Sequence, residues 1–149
     1  MRRLCRSALA SFMLVSLAVV LAQAQAGPPA PSPSPEYAFP SGAGLLVFHV
    51  RPERTTDFEA IINRLGEALT TAADPVRQKQ AASWRMFRSA EATGDVSLYV
   101  FFFDPAVGGA DYDPVRVLSE AAPAEAQAYF ERLRAAVVKV ERMALTRIR

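Results

Sequence analysis

The sequence predicts a small α+β domain in which helices cover one face of a four-stranded antiparallel sheet. Segments with strand and helix patterns follow one another in the order β-α-β-β-α-β, and residues 96–103 are apolar on both alternating faces. A chain of 149 residues has room for one core. Hydrophobic residues make up 51% of the chain, which excludes a disordered protein, and one cysteine excludes a disulfide scaffold.

Residues 1–26 have the pattern of a secretory signal peptide. Three arginines precede an uncharged apolar run at residues 7–22, and Ala-x-Ala sites end at Ala24 and at Ala26. The alternative is a membrane anchor that stays in place, but the 16 residues of the run fall short of the roughly 17–25 that span a bilayer. We therefore expect a periplasmic or secreted protein, without a stable membrane span after cleavage.

Cleavage would also change the net charge of the protein, which is the basis for predicting whether it binds nucleic acid. Three of the 17 basic residues, none of the 15 acidic residues and Cys5 lie in residues 1–26, so the formal net charge would change from +2 to −1. A nucleic-acid partner is therefore not expected. Without a thiol, neither cysteine catalysis nor a cysteine metal site is expected.

Residues 27–42 are predicted to form a proline-rich linker. Six prolines alternate with small residues, a composition that favours extended polyproline geometry and a semi-rigid spacer. Docking to a proline-recognition module is the alternative, but no basic or aromatic specificity residues accompany the prolines of residues 28–35. We expect Tyr37 and Phe39 to fix the end of the linker to a domain that spans residues 43–149.

The first half of this domain is predicted to form a strand and two helices. Residues 45–50 are β-prone. The motif Thr56-Asp57-Phe58-Glu59 matches a capping box, and apolar residues at spacings of three and four then predict a long helix. These residues are Phe58, Ile61, Ile62, Leu65 and Leu69. Asp74-Pro75 predicts the cap and first residue of a short helix that runs to about residue 82.

The second half is predicted to form a hairpin, two helices and an edge strand. The hairpin strands are residues 83–89 and 96–103, joined by a turn that contains Gly94. A short helix begins at Asp113-Pro114, the last helix begins at Pro123, and residues 143–148 are assigned to the final strand. The apolar side of the last helix comprises Tyr129, Phe130, Leu133, Ala136 and Val137.

The strand at residues 96–103 implies a homodimer, because helices can cover only one face of the sheet. We expect the other face to present Tyr99, Phe101 and Phe103, or else their alternates. An exposed apolar patch of that kind exceeds what soluble monomers usually tolerate. Pairing two sheets face to face would bury the patch and enclose a cavity between the subunits.

The order β-α-β-β-α-β, with short connections and right-handed crossovers, is the ferredoxin-like arrangement. With it the chain resembles the dimeric α+β barrel families, the group that contains antibiotic-biosynthesis-monooxygenase-like proteins. Within residues 47–107, several short strings also look like those of small uncharacterised exported bacterial proteins. These strings are Asp57-Phe58-Glu59, Asp74-Pro75-Val76-Arg77, Trp84 and Tyr99-Val100-Phe101. The resemblance implies fold and dimer, whereas no strict catalytic motif of the superfamily matches.

Four residues are candidates for a ligand site in the cavity. His49, the one histidine, shares a strand face with Leu45, Val47 and Arg51, opposite the purely apolar face. Its imidazole could act as an acid, a base or a ligand. Trp84, Arg85 and Tyr99 could join it around a small aromatic or anionic ligand, and a structural role is the alternative for each.

No cofactor or metal is expected from the motifs. The pair Gly108-Gly109 lacks a phosphate-loop pattern, and no nucleophile elbow surrounds any serine. Asp104, Asp111 and Asp113 lie in one loop, but their spacing matches no calcium loop.

Two functions therefore remain. The first is a non-catalytic, exported, dimeric domain that binds a small ligand or a protein partner. The alternative is a cofactor-independent, monooxygenase-like enzyme that acts on a small aromatic substrate in the barrel cavity. A cavity filled by Trp84, Phe101 and Phe103 would exclude the enzyme.

Overall fold

The structure is a computed structural model that describes residues 36–40, 42–91 and 94–149. The predicted signal peptide and most of the predicted linker lie outside these residues. Within them, every helix or strand of the predicted order is present, and the domain is built as follows.

The described part of the domain contains four strands and four α-helices. In chain order they are β1 (Ala43–Val50), α1 (Thr55–Thr71), α2 (Pro75–Ser83), β2 (Trp84–Arg88), β3 (Ser97–Phe103), α3 (Pro114–Ala121), α4 (Ala126–Ala136) and β4 (Val137–Leu145). Short 3₁₀ turns, Pro52–Arg54 and Pro123–Glu125, precede α1 and α4. All strand pairs are antiparallel, in the order β2-β3-β1-β4. This confirms the predicted ferredoxin-like α+β fold.

The caps of α2 and α3 are as predicted. The carboxylates of Asp74 and Asp113 accept hydrogen bonds from the N–H groups of Val76 and Val115, at 2.9 and 2.8 Å. In both helices the residue after the aspartate is a proline at the first helical position, where the missing N–H costs nothing. These two helix starts could be predicted from the sequence, because the capping residue and the helix are adjacent in the chain.

The capping box predicted for α1 is wrong. The turn Pro52–Arg54 leads directly into the helix, so α1 begins at Thr55 and Thr56 already lies inside it. No side chain caps this end. The carboxylate of Glu59 is used elsewhere, across the sheet, as described below.

The final strand is also longer than predicted, and it starts earlier. β4 begins at Val137, directly after the last residue of α4, whereas the sequence pattern placed Val137 in the helix and the strand at residues 143–148. Pairing with the whole of β1 extends the strand, with an irregularity opposite His49 and Val50. β-branched residues such as Val137 and Val138 favour the extended conformation once a partner strand is present.

The core lies between the helices and one face of the sheet. The apolar stripe of α1 packs there as predicted, with Phe58 and Leu65 fully buried and Ile62 partly buried. Phe101 of β3 lies at the centre, with its ring centroid 4.6 Å from that of Phe48 and 5.7 Å from that of Trp84. Such tilted and edge-on ring contacts add to the free energy gained from apolar burial.

A segment before β1, which we call the N-terminal strap (residues 36–40), packs into this core. The ring of Phe39 is buried, and the backbone carbonyl of Phe39 accepts a hydrogen bond from the N–H of Gly109 at 3.0 Å. The guanidinium of Arg142 donates to the carbonyl of Ala38 and lies 4.9 Å from the Phe39 ring centroid. Of the two residues expected to fix the end of the linker, Phe39 therefore forms part of the core, and Tyr37 packs against it and is partly buried.

Two glycine substitutions are expected to have opposite effects on stability, because Gly44 lies against Phe39 whereas Gly66 has open space around it. A Cβ at Gly44 would lie 2.6 Å from Phe39 ring carbons, so Gly44→Ala is expected to lower the free energy of unfolding by about 1–3 kcal/mol. A Cβ at Gly66 in α1 would meet nothing within 4 Å, so Gly66→Ala is expected to raise it by about 0.5–1 kcal/mol. Urea unfolding of both variants measures the difference. Equal stability of Gly44→Ala and the wild type would contradict the packing of Phe39 on β1.

Candidate functional site

No helix of the described chain covers the second face of the sheet, which we call the open face. The strand register and the alternation of side chains identify its members. They are Leu45, Val47 and His49 of β1, Arg85 and Phe87 of β2, Leu98, Val100 and Phe102 of β3, and Lys139, Glu141 and Met143 of β4. Two of these apolar side chains, Phe87 and Met143, are 54% and 41% exposed.

The sequence left open which of the two alternating sets of β3 side chains lies on this face. In the structure it is the set that contains Leu98, Val100 and Phe102. Tyr99, Phe101 and Phe103 lie under the helices, at 5%, 0% and 0% exposure, and not on the open face. The register explains this, because Tyr99 is paired with Phe48 of β1, and paired residues share a face. The larger side chains thus lie on the face that helices from the same chain can bury. The purely apolar face of β1, which consists of Leu46, Phe48 and Val50, also lies under the helices.

The open face has an apolar centre and charged margins. The two central strands contribute Leu45, Val47, Leu98, Val100 and Phe102, all partly buried. Its charged side chains, Arg85, Lys139 and Glu141, stand on the two outer strands. A protein interface has the same distribution, with an apolar core and a polar rim.

His49 provides the polar group nearest to the apolar centre. Its Nε2 lies 3.2 Å from Oε1 of Glu141, and the Nζ of Lys139 lies 2.6 Å from the same oxygen. The Lys139 ammonium, and to a smaller extent His49, hold the pKa of Glu141 below its usual value. The His49 side chain is 22% exposed. The imidazole is therefore oriented by a carboxylate and reachable from the open face.

The structure does not bring the four predicted site residues together. His49 and Arg85 are on the open face, whereas Trp84 and Tyr99 are on the helix-covered face. His49 and Arg85 are themselves about 16 Å apart, because two strand spacings and four residues of rise separate them. Arg51 was expected beside His49, but its guanidinium donates to the carbonyl of Ala135 in α4, at 2.6 Å.

Trp84 has a packing role. Its ring stands edge-on to those of Phe103 and Tyr112, with centroid separations of 5.0 and 5.6 Å. The indole Nε1 is buried and has no hydrogen-bond partner among the described residues. A bulky residue that contacts three other rings at the start of β2 fixes that strand against the helices.

Tyr99 connects the sheet to α1. Its hydroxyl donates to the carboxylate of Glu59 at 2.5 Å, and Arg88 of β2 lies 3.1 Å from the same carboxylate. Burial, followed by the hydrogen bond to Glu59, raises the pKa of Tyr99 to about 12. Sequence reasoning missed this contact because it assigned Glu59 to the capping box. No local pattern reports a partner 40 residues away.

Arg77 was not among the predicted site residues, yet it is the charged side chain that is buried in the described part of the chain. Its guanidinium donates to both carboxylate oxygens of Glu120 at 2.9 Å, and to Gln80 and the carbonyl of Asp111 at 2.7 Å. This bidentate pair joins α2 to α3. The carbonyl of Asp111, which accepts hydrogen bonds from both Arg77 and Gln80, joins α2 to the loop before α3. With so many of its donors engaged, Arg77 is a structural residue.

The carboxylates of the loop before α3 also have structural partners. Asp104 pairs with Arg147, Asp111 pairs with Arg116 at 2.8 Å, and Asp113 caps α3. In the residues that the structure describes, no group of three or more histidine, cysteine or acidic side chains is placed to hold a metal ion. None of the described helices is long and apolar enough to cross a membrane.

Comparisons with known protein families and with curated proteins found no match. Among solved structures, the chain is similar to a point mutant of SnoaB, a cofactor-independent oxygenase from Streptomyces nogalater. The TM-score is 0.39 and the sequence identity 16%, over 74% of this chain and 95% of that chain.

Burial of Tyr99, together with its hydrogen bond to Glu59, predicts a late titration of this tyrosine. Because the folded-state pKa of about 12 exceeds the unfolded value of 10.0, the buried, protonated Tyr99 contributes stability that is fully present below about pH 10 and is lost as the pH rises toward 12. Absorbance of phenolate, taken as wild type minus Tyr99→Phe, measures the titration. Glu59→Gln is expected to move the midpoint downward, although burial keeps it above 10.0. A wild-type midpoint near 10.0 would contradict the contact.

Proposed function

We propose that two copies of this chain pair through their open faces and hold a small ligand between the two sheets, without catalysing a reaction. One observation carries the proposal: the uncovered face of the sheet is apolar at its centre and contains a single carboxylate-oriented imidazole. A second copy of the chain is the partner whose surface best matches this face.

The distribution of charge on the open face supports a second copy as its cover. A twofold dimer places the same patch on both sides of an interface, so the apolar centres of β1 and β3 lie against each other. The charged residues Arg85, Lys139 and Glu141 then lie at the rim, where they stay in contact with water. Sheets that pack face to face lie about 10 Å apart, so they can enclose a small molecule where the facing side chains are short.

The ligand site that we propose lies at the His49 end of this interface. There Nδ1 of His49 and the second carboxylate oxygen of Glu141 provide polar atoms, and Val47 and Leu98 provide apolar surface. A small aromatic or aliphatic molecule with one polar group fits this combination. Arg85 lies at the other end of the face and takes no part in this site, while Trp84 and Tyr99 support it only by fixing the sheet.

A cofactor-independent, monooxygenase-like enzyme is the second candidate function. It is favoured by the contact between His49 and Glu141, because an imidazole oriented by a carboxylate is suited to proton transfer. The side chains of Trp84, Phe101 and Phe103, which would have excluded an enzyme by filling the cavity, point to the other face. Turnover of an electron-rich phenol under air by the wild type, and its loss in His49→Ala, would favour this candidate over a binding protein.

We also propose that the chain is exported and acts in the periplasm or outside the cell. The basic start, the apolar run and the Ala-x-Ala sites of residues 1–26 support this proposal. N-terminal sequencing of the protein recovered outside the cytoplasm tests it, and an intact Met1 would contradict cleavage.

Substitution at the centre of the open face tests the dimer. The wild type is expected to be a dimer at micromolar concentration, and Val100→Glu is expected to be a monomer, because it buries an unpaired charge in the interface. Val76→Glu, on an exposed residue of α2, is the matched control and should remain dimeric. Light scattering measures the mass, and circular dichroism checks that each variant is folded.

A second substitution keeps this test decisive if Val100→Glu fails to fold. Phe87 is 54% exposed on the edge strand β2, so the isolated subunit tolerates Phe87→Lys. The dimer should be weakened by at least tenfold in this variant. A monomeric wild type, or a Phe87→Lys variant as dimeric as the wild type, would contradict the proposed interface.

His49→Ala tests the ligand site. Native mass spectrometry of the purified wild-type dimer is expected to show a co-purifying small molecule, which His49→Ala loses while it keeps its thermal unfolding midpoint within a few degrees. Lys79→Ala, on the helix side, is the control and should retain the molecule. Retention of the molecule by His49→Ala would contradict a ligand site at the His49 end of the open face.

A further inference from the structure

A second cavity lies on the helix side of the sheet, away from the open face. We call it the α3–α4 crevice: a gap of about 210 Å³ between the start of α3, one side of α4, β4 and the N-terminal strap. The buried Phe48 and the partly buried Val137 and Val140 form its floor, and the exposed Phe130 and Arg134 lie at its mouth. The crevice would remain accessible in a dimer formed through the open faces, since it opens on the opposite side of the sheet.

The interior of the crevice is apolar and reaches the hydrophobic core. Phe48, at its floor, belongs to the central cluster and is 4% exposed, and its ring contacts those of Phe58 and Phe101. Phe130 was predicted to face the core from α4, yet it is 43% exposed at the mouth. An aromatic side chain beside an opening to the core gives apolar surface that a bound molecule can cover.

The mouth of the crevice carries a cation without an ion pair. All 15 acidic residues of the chain lie among the described residues, and none of them pairs with Arg134. Arg132, two residues earlier on the same helix, pairs with Asp57 at 3.2 Å. The guanidinium of Arg134 is therefore free to bind an anion at the edge of an apolar cavity.

One acidic side chain, Asp113, also lines the crevice and limits where a bound anion can lie. Its carboxylate accepts the N–H of Val115 at 2.8 Å and is occupied as the cap of α3. A second anion would be repelled at that end, so the charge of a ligand must lie at the Arg134 end. Tyr37 lies at the same acidic end, because burial and the carboxylates of Glu36, Asp113 and Asp111 raise the pKa of its hydroxyl.

We infer that the α3–α4 crevice binds a small monocarboxylate with an apolar body, such as a single aromatic ring or a short branched chain. The apolar body lies on Phe48 and Val140, and the carboxylate pairs with Arg134 at the mouth. The volume sets the size, because about 210 Å³ is below the roughly 300–1,000 Å³ of pockets for drug-sized ligands. This site is independent of the function proposed above, since it uses neither the open face nor His49.

Fluorine NMR with 4-fluorobenzoate tests the inference on the full chain. Arg134→Gln is expected to weaken binding of 4-fluorobenzoate about five- to tenfold, since it removes one charge-assisted contact. Arg132→Gln makes the same change of charge on the same helix outside the crevice and should leave binding unchanged. The neutral probe 4-fluorobenzyl alcohol should bind the wild type and Arg134→Gln equally. Amide shifts induced by 4-fluorobenzoate are expected at Val115, Phe130 and Val140.

Three results would overturn the inference. The first is no binding of 4-fluorobenzoate at millimolar concentration. The second is an equal loss of affinity in Arg132→Gln and Arg134→Gln, which would indicate a general attraction of the basic helix for anions. The third is a set of amide shifts confined to the open face, at Leu98 and Val100, which would assign the probe to the proposed dimer cavity instead.

Discussion

The structure depends on one strand, β3, which is apolar on both faces, whereas the helices of the described residues cover only one of those faces. Its larger residues, Tyr99, Phe101 and Phe103, are directed to the covered face and build the aromatic core with Phe48 and Trp84. The smaller set, including Leu98 and Val100, is left on the open face. Burial of apolar surface is the dominant favourable term in folding, so the first set stabilises the subunit and the second remains available for association.

This division explains why the polar residues fall into two groups. On the helix side, Glu59 with Tyr99 and Arg77 with Glu120 each join elements that are distant in sequence, and their hydrogen-bonding groups are used within the fold. On the open face, the contact between His49 and Glu141 leaves an imidazole accessible beside apolar surface. Candidate chemistry is therefore found where the fold leaves a polar group in reach, namely at His49 and at Arg134.

Residues whose partners are local in the chain were predicted well, and those with distant partners were not. The Asp74 and Asp113 caps and the α1 stripe depend on spacings of two to four residues, and the structure has them as expected. The role of Glu59 was misassigned, because a plausible local motif competed with a contact to Tyr99, 40 residues away. The start of β4 was missed for the same reason, since only pairing with β1 decides where helix α4 ends.

The order of the elements, the α+β class and a strand with two apolar faces could all be predicted from the sequence, because periodicity and caps depend on neighbouring residues. Which face of β3 is covered could not be predicted, since strand register is a relation between distant segments and follows from their packing. The same register places Trp84 and Tyr99 on the helix-covered face of the sheet and His49 on the open face. Side chains that alternate along one strand belong to different environments, and only the packing of the helices assigns each face to one of them.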